Sequence, residues 1–352
     1  MGTQSDPAAK TFIYDLDLPQ LKEIIASWGE PAYRAGQIWQ GLYKSLWYDP
    51  GAYTNLPRSL QARMAEQFEF SHLLETAHKE SNDKETRKTL FILPDQQPIE
   101  AVLMQYERRR TLCISSQAGC AMGCTFCATG QMGFRRHLSS GEIVEQVLYF
   151  ARLLVSRDEH VTNVVVMGMG EPFHNYDNTL AAIDRLNHPD GLNLGARRFT
   201  ISTVGLVPAI RRFAREKRQI NLAISLHAAD DELRSSMLQV NNRYPLAELM
   251  EACREYVELT HRRITFEWAL IYGVNDSPVQ ASKLANLLGG LSCHVNVIPL
   301  NPTEKYAGKA TTRERAVAFQ KTLEARDIPC TIRVRRGIDI QAGCGQLAAR
   351  QI

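Results

Sequence analysis

Apolar residues recur along this chain at two periods, and the change from one to the other divides it. Between residues 18 and 27, Leu18, Leu21, Ile24 and Ile25 share one face of a helix, Asp17 stands where it can cap the first turn, and Gly29 stops the run. The same spacing predicts helices over 33–46 and over 58–68, the latter entered through Pro57. Trp28, Trp39 and Trp47 fall here and are expected to pack a small core rather than stack on bases. From residue 75 the period shortens, and 75–80, 87–93 and 99–106 read as antiparallel strands separated by polar or proline-containing turns.

Beyond residue 110 the two periods alternate. Strands are predicted at 111–115, 163–167, 198–202, 221–226, 264–270 and 294–298, with helices at 140–154, 179–186, 207–217, 246–259 and 278–288. Such alternation builds an α/β fold with a parallel sheet and right-handed crossovers. Six units are too few to close an eight-stranded barrel, so a partial, open (β/α)6 barrel is expected, with functional groups at the C-terminal ends of its strands. The division expected is a helical N-terminal domain over 1–70, a β extension over 71–110 and the partial barrel over 111–352.

The 352 residues and 44% apolar content suit such a fold without further support. No run of uncharged apolar residues is long enough to span a bilayer, and the first ten residues contain no apolar stretch of the secretory kind, so a soluble, cytoplasmic protein is expected. The net charge of +3 identifies no partner, but arginines gather at Arg108 to Arg110, Arg135 and Arg136, Arg197 and Arg198, and Arg333, Arg335 and Arg336. Arginine forks match phosphates, which fits an RNA substrate, although solvated faces and ion pairs account for such runs as well.

Four of the eight cysteines crowd between Cys113 and Cys127, which favours metal or redox chemistry over a disulfide framework. Cys120, Cys124 and Cys127 form a CxxxCxxC loop punctuated by Gly119, Gly123 and Gly130. Three thiolates hold three irons of a [4Fe–4S] cubane and leave the fourth iron open to a substrate. A structural zinc site is the alternative, but it needs a fourth ligand, for which Cys113 and His137 are the candidates. Polar groups stand at later strand ends: Gly170 and Glu171 in Met167-Gly168-Met169-Gly170-Glu171-Pro172, Ser202 in the third strand, Ser225, Leu226 and His227 after the fourth, and Asn301 after the sixth. Each alone reads as a turn or cap; together they outline a pocket.

The ordered set CxxxCxxC, MGMGEP, Thr200-Ile201-Ser202-Thr203, Ser225-Leu226-His227 and Gly343-Cys344-Gly345 resembles the radical S-adenosylmethionine adenine C2-methyltransferases of ribosomal and transfer RNA. The resemblance runs across nearly the whole chain. It implies a [4Fe–4S] cluster on Cys120, Cys124 and Cys127, and S-adenosylmethionine with its methionine amino group at Gly170 and Glu171. It implies that Cys344 carries a methyl group, that Glu100 accepts the C2 proton, and that Cys113 resolves the covalent adduct through a transient disulfide. Glu100 stands in an otherwise apolar strand, where a solvated face is the plainer alternative. The implied partners are 23S ribosomal RNA, transfer RNA and a flavodoxin- or ferredoxin-like reductant, with the enzyme acting as a monomer and without a membrane. Glycines on both sides of Cys344 lead one to expect a mobile segment. Cys253, Cys293 and Cys330 sit among apolar neighbours and read as inert core residues.

Three rivals stay open at this level. One is methylation of the same adenine at C8 by the sister family; another is radical chemistry on a non-RNA substrate; the third is an iron–sulfur or zinc module that binds RNA without turnover.

Overall fold

Residues 10–349 are described by the computed structural model; of the leading segment read above for apolar stretches, all but Lys10 lies outside the described residues. Strand β1 (Thr11–Phe12) precedes α1 (Leu18–Ser27), α2 (Tyr33–Tyr43) and α3 (Arg58–Gln67), and β2 (Phe68–Glu69) returns parallel to β1. Asp17 caps α1 reciprocally: its carboxylate accepts from the Gln20 N–H at 2.8 Å, and its own N–H donates to the Gln20 side chain at 2.9 Å. Trp39 is buried in this unit with Tyr14, Tyr43 and Tyr53, while Trp28 and Trp47 lie partly buried against it.

Strands β3 (Leu74–Glu80), β4 (Thr86–Ile92), β5 (Pro98–Tyr106) and β6 (Arg109–Cys113) form an antiparallel meander. A hairpin of β7 (Gln117–Gly119) and β8 (Phe134–His137) follows, with the short α4 (Ala128–Met132) between its strands. The barrel units are α5 (Ser140–Val155), β9 (Asn163–Val166), α6 (Tyr176–Asn187), β10 (Phe199–Thr203), α7 (Val207–Glu216), β11 (Asn221–Ser225), α8 (Asp231–Met237), α9 (Leu246–Thr260), β12 (Ile264–Leu270), α10 (Pro278–Leu288), β13 (Cys293–Pro299), α11 (Arg313–Glu324) and β14 (Cys330–Ile332).

Ten of these strands make one sheet in the order β14-β13-β12-β11-β10-β9-β6-β5-β4-β3. The sheet is open, with edges at β14 and β3, as expected of too few units to close. The sheet differs from the sequence reading in two details. A seventh parallel strand, β14, extends the expected six, and the antiparallel strands continue the barrel sheet itself, joined to it through β6. Three residues are too few to register as a strand by period, which is why β14 was not foreseen. Helices α8 and α11 escaped because they are short or mostly polar, presenting little apolar face. Among the described residues no helix is long and apolar enough to cross a membrane.

The N-terminal unit is welded to the barrel by buried polar contacts. Asp15 accepts from the Gly141 N–H at 2.7 Å and the Ser140 hydroxyl at 3.2 Å, and Arg185 donates to the Asp15 carbonyl at 2.5 Å. Glu145 on α5 accepts from the Ser71 hydroxyl at 2.5 Å and from the His72 and Leu73 N–H groups at 2.8 and 3.1 Å, fixing the segment that leads into β3. Replacing Glu145 by alanine leaves those donors without an acceptor, and urea denaturation should show a loss of about 3 kcal/mol. A loss below about 0.5 kcal/mol would mean that water reaches this seam.

Candidate active site

A cavity of about 210 Å3 opens at the C-terminal ends of the barrel strands, as the fold class requires. Cys120, Cys124 and Cys127 line it, on the loop from β7 into α4. The loop turns back on itself because Gly119, at φ +72°, lies so close to β8 that a Cβ there would meet the Gly133 carbonyl at 2.0 Å. Cys120 N–H donates to that same carbonyl at 3.0 Å, and Thr125 N–H to the Met237 carbonyl at 3.1 Å. Burial pushes the Cys120 thiol up to about 12 and raises Cys124 and Cys127 as well, so an iron centre binding here displaces three protons.

Among the described residues, no three His, Cys, Asp or Glu side chains converge tightly enough to hold a single metal ion. His137, the candidate fourth zinc ligand, instead accepts from the Gln117 amide at Nδ1, 3.0 Å away, and a second bond of 3.1 Å joins that amide to His174 Nδ1. Three cysteines set apart on one loop fit a cubane, in which each thiolate takes a different iron, and not a structural zinc site.

The loop after β9 carries Gly170 and Glu171. Its glycines serve the protein's own packing: a Cβ on Gly168 would stand 2.7 Å from the Ile114 carbonyl, and one on Gly170, at φ +101°, would stand 2.6 Å from the Gln117 side chain. The contact they permit is with the segment between β6 and β7, and both glycines also line the cavity. Glu171 is buried, accepts from the Phe173 and Val204 N–H groups at 3.0 and 2.9 Å, and lines the cavity. Burial pushes its carboxyl up to about 7 in spite of those donors.

Ser202 and Ser225 meet with their hydroxyl oxygens 3.4 Å apart, and both line the cavity. His227, in the left-handed region at φ +61°, accepts the Ala269 N–H on Nδ1 at 2.9 Å, which leaves Nε2 to carry the ring proton. Burial, aided by Arg234, drives its pKa down to about 3, so the ring is neutral. Leu226 does not join them: its side chain enters the core, and its carbonyl accepts from Arg234 at 3.2 Å. Asn301 donates to the Cys344 carbonyl at 3.0 Å, while its Oδ1 is buried without a partner, an acceptor left for a ligand.

Cys344 is exposed at the cavity, held in a C-terminal segment tied down along its length. Gly345 and Leu347 carbonyls accept from the Ala128 N–H at 2.7 Å and the Thr129 hydroxyl at 2.6 Å, and Gln346 donates to the Pro302 carbonyl at 3.0 Å. The segment expected to be mobile is thus docked against the cysteine loop. Cys113, the last residue of β6, also lines the cavity, and burial followed by the neighbouring Cys344 sulfur pushes its thiol up to about 12. Arg333 faces the pair, its charge favoured first by Cys344 and then by Glu267.

Glu100 is buried beside the cavity rather than in its wall. One carboxylate oxygen accepts from the Ala348 and Ala349 N–H groups at 2.9 and 3.0 Å, and the other pairs with the Lys88 ammonium at 3.0 Å. The solvated-face alternative is thereby excluded. Sequence reading missed two buried ionic groups, Lys88 and Glu267, whose carboxylate accepts from Asn296 at 3.0 Å, and placed the half-buried Arg333 only in an arginine run. Glu267 carried a usable signal, an acid inside the apolar run Ile264-Thr265-Phe266-Glu267-Trp268. Cys253, Cys293 and Cys330 are buried in the core as expected.

Comparison with known proteins places this geometry. Residues 12–70 match the ribosomal RNA large subunit methyltransferase N-terminal domain, and residues 114–284 match the radical SAM superfamily. The chain is 50% identical to a probable dual-specificity RNA methyltransferase RlmN of Chloroflexus aurantiacus, over 96% of this chain and 93% of that one. It is 49% identical to the dual-specificity RNA methyltransferase RlmN 1 of Myxococcus xanthus, over 98% and 96%. A radical SAM methyltransferase from Sphaerobacter thermophilus superposes with a TM-score of 0.95 at 50% identity, covering 97% of this chain and all of that structure.

Glu171 makes a testable contribution to stability. Its folded pKa of about 7 lies above the ordinary 4.5, so between those values the folded chain holds a proton that the unfolded chain has lost, and stability falls as pH rises through that window. Denaturation of the metal-free protein at pH 5, 6 and 7 should show this fall, and Glu171→Gln should flatten it. An unchanged slope in the variant would assign the pH dependence elsewhere.

Proposed function

The chain belongs to the RlmN family of radical SAM RNA methyltransferases, and from that premise we propose that it methylates C2 of an adenosine at the peptidyl-transferase centre of 23S ribosomal RNA and of the adenosine beside the anticodon in transfer RNA. Its cofactors are a [4Fe–4S] cluster and S-adenosylmethionine. Cys120, Cys124 and Cys127 hold the cluster. Glu171 and the Gly170 backbone take the methionine amino group, and Ser202, Ser225, His227 and Asn301 bound the adenosyl half, with the free Asn301 Oδ1 as an acceptor for its donors. When bound, these cofactors supply a 5′-deoxyadenosyl radical, which removes one hydrogen atom from a methyl group.

The observation that carries this reading is the placement of two free thiols, Cys113 and Cys344, in one cavity with the cysteine loop. Adenine C2 is an amidine carbon with no electron pair to offer a sulfonium methyl group, so the methyl carbon needs a carrier on the protein. Cys344, exposed and faced by Arg333, takes the methyl group first on its sulfur. The activated carbon adds to C2 and tethers the nucleotide to Cys344. The adduct gives up one electron to a one-electron carrier and its C2 proton to Glu100. The Cys113 thiolate then attacks the Cys344 sulfur, and the electron pair of the thioether C–S bond leaves with the methylene carbon, which takes a proton to become the methyl group. An external reductant reopens the disulfide. The N-terminal helical unit and the arginine runs grip folded RNA while the target base leaves its stack. A flavodoxin- or ferredoxin-like protein supplies electrons to the monomeric enzyme.

The test is anaerobic turnover of the reconstituted protein with methyl-labelled S-adenosylmethionine and unmodified ribosomal RNA, followed by nucleoside mass analysis. The native protein should yield 2-methyladenosine and 5′-deoxyadenosine, and Cys344→Ala neither. Cys113→Ala should leave RNA covalently attached to the protein. 8-Methyladenosine would overturn the assignment to C2, and 5′-deoxyadenosine without a modified nucleoside would discard RNA as the substrate.

A further inference from the structure

Lys88 is 6% exposed on β4, in an environment where lysine is almost never found unless paired. Its pairing is specific. The ammonium lies 3.0 Å from Glu100 Oε1 and donates to the Gln341 carbonyl at 3.3 Å. Strand register explains the placement: Lys88 is opposite Val102, and Val102 is opposite Cys113, so the three side chains form a row on one face of the sheet. Glu100 is two residues from Val102 and shares that face. The row therefore runs from the ammonium, past the carboxylate, to the thiol proposed to release the product.

Glu100 Oε2 is occupied by the Ala348 and Ala349 N–H groups. A nucleotide tethered to Cys344 reaches this oxygen only if residues 348 and 349 give it up. Lys88 holds the opposite oxygen and is not displaced by that exchange. A buried carboxylate that gives up the donors on one oxygen keeps a defined orientation only if the other oxygen stays bonded.

We propose that Lys88 is a positioning residue for product release: it holds Glu100 Oε1 and so keeps the carboxylate aimed while the C-terminal segment exchanges its place on Oε2 for the nucleotide. This rests on the reading of Glu100 as proton acceptor. In the step concerned, the C2–H bond of the adduct breaks, the proton passes to Glu100 Oε2, and the electron pair of the bond stays with the adduct. Through Gln341 the same ammonium also anchors the segment that must move, so base and tail are coupled at one charge.

Two measurements on the full-length chain test this. In the first, reconstituted Lys88→Met, Lys88→Arg and Glu100→Gln are each given S-adenosylmethionine and an unmodified RNA hairpin bearing the target adenosine. In a single turnover Lys88→Met should form 5′-deoxyadenosine at native levels and accumulate a covalent RNA–protein adduct, with 2-methyladenosine reduced about tenfold or more, and Lys88→Arg should recover most of the product. Lys88→Gln carries the same test should the methionine variant fold poorly. Equal loss of 5′-deoxyadenosine, adduct and product would reduce Lys88 to a structural role and overturn the proposal, as would unchanged product formation. Full activity in Glu100→Gln would instead remove the proton-acceptor reading beneath it. In the second, hydrogen exchange without RNA or S-adenosylmethionine should be faster at the Ala348 and Ala349 amides in Lys88→Met than in the native chain; equal rates would refute the coupling of base and tail.

Discussion

Ser115 has every polar group committed. Its N–H donates to Gln146 Oε1 at 2.8 Å and its carbonyl accepts from the Gln146 amide at 3.0 Å, while its hydroxyl donates to the Glu100 carbonyl at 2.6 Å and accepts from the Met169 N–H at 2.9 Å. Four segments meet at this one fully buried residue: α5, the strand of Glu100, the exit from β6 and the loop of Glu171. A Cβ on Gly168 would stand 2.8 Å from the same hydroxyl, so even the glycine pattern of the Met167 to Pro172 loop answers to it. Buried polar groups are costly unless satisfied, and satisfied in full they define one arrangement and exclude others. The relative placement of Glu100, Cys113 and Glu171 is thus fixed by backbone and hydroxyl geometry before any ligand arrives.

The strand leading into Ser115 explains why such a junction is needed. Strand β6 is antiparallel to β5 on one side and parallel to β9 on the other, and Cys113 at its end lies between Val102 and Val165. A parallel barrel alone offers groups only at its C-terminal rim. Fusing an antiparallel meander to its first strand brings in Lys88 and Glu100 from a direction no βα loop reaches. The meander therefore contributes to the cavity itself, through Met104 and Tyr106 of β5.

Periodicity made most elements legible in the sequence, because burial of one face imposes it: α1, β12 and α10 lie at their expected bounds. What periodicity could not carry was contact between distant residues. Glu100 stood out as an acid in an apolar strand, yet its partners Ala348 and Ala349 are 248 and 249 residues away, beyond any local signal. Lys88 gave less warning, since a lysine between Arg87 and Thr89 reads as a solvated edge. Leu226 errs in the other direction. It belongs to the recognised Ser225-Leu226-His227 motif, but neighbouring residues of an extended segment point to opposite faces, and between two cavity-lining residues its side chain is driven into the core.

The C-terminal segment raises a separate physical question, since the carrier role proposed for Cys344 requires movement and the segment is docked. The bonds that hold residues 343–349 are single hydrogen bonds to Asn301, Pro302, Ala128 and Thr129 and a pair to Glu100, most with a backbone group of the segment as one partner. Each is worth about 1 kcal/mol net, because water or an incoming nucleotide offers the same groups in exchange. No large apolar anchor holds Cys344 itself, whereas Leu347, three residues on, is buried. Such a segment is released piecewise about the buried Leu347, the glycines around Cys344 on one side of it and Ala348 and Ala349 on the other. Docking and mobility are then compatible: the segment has one well-made resting position, and the cost of leaving it is small enough for a substrate to meet.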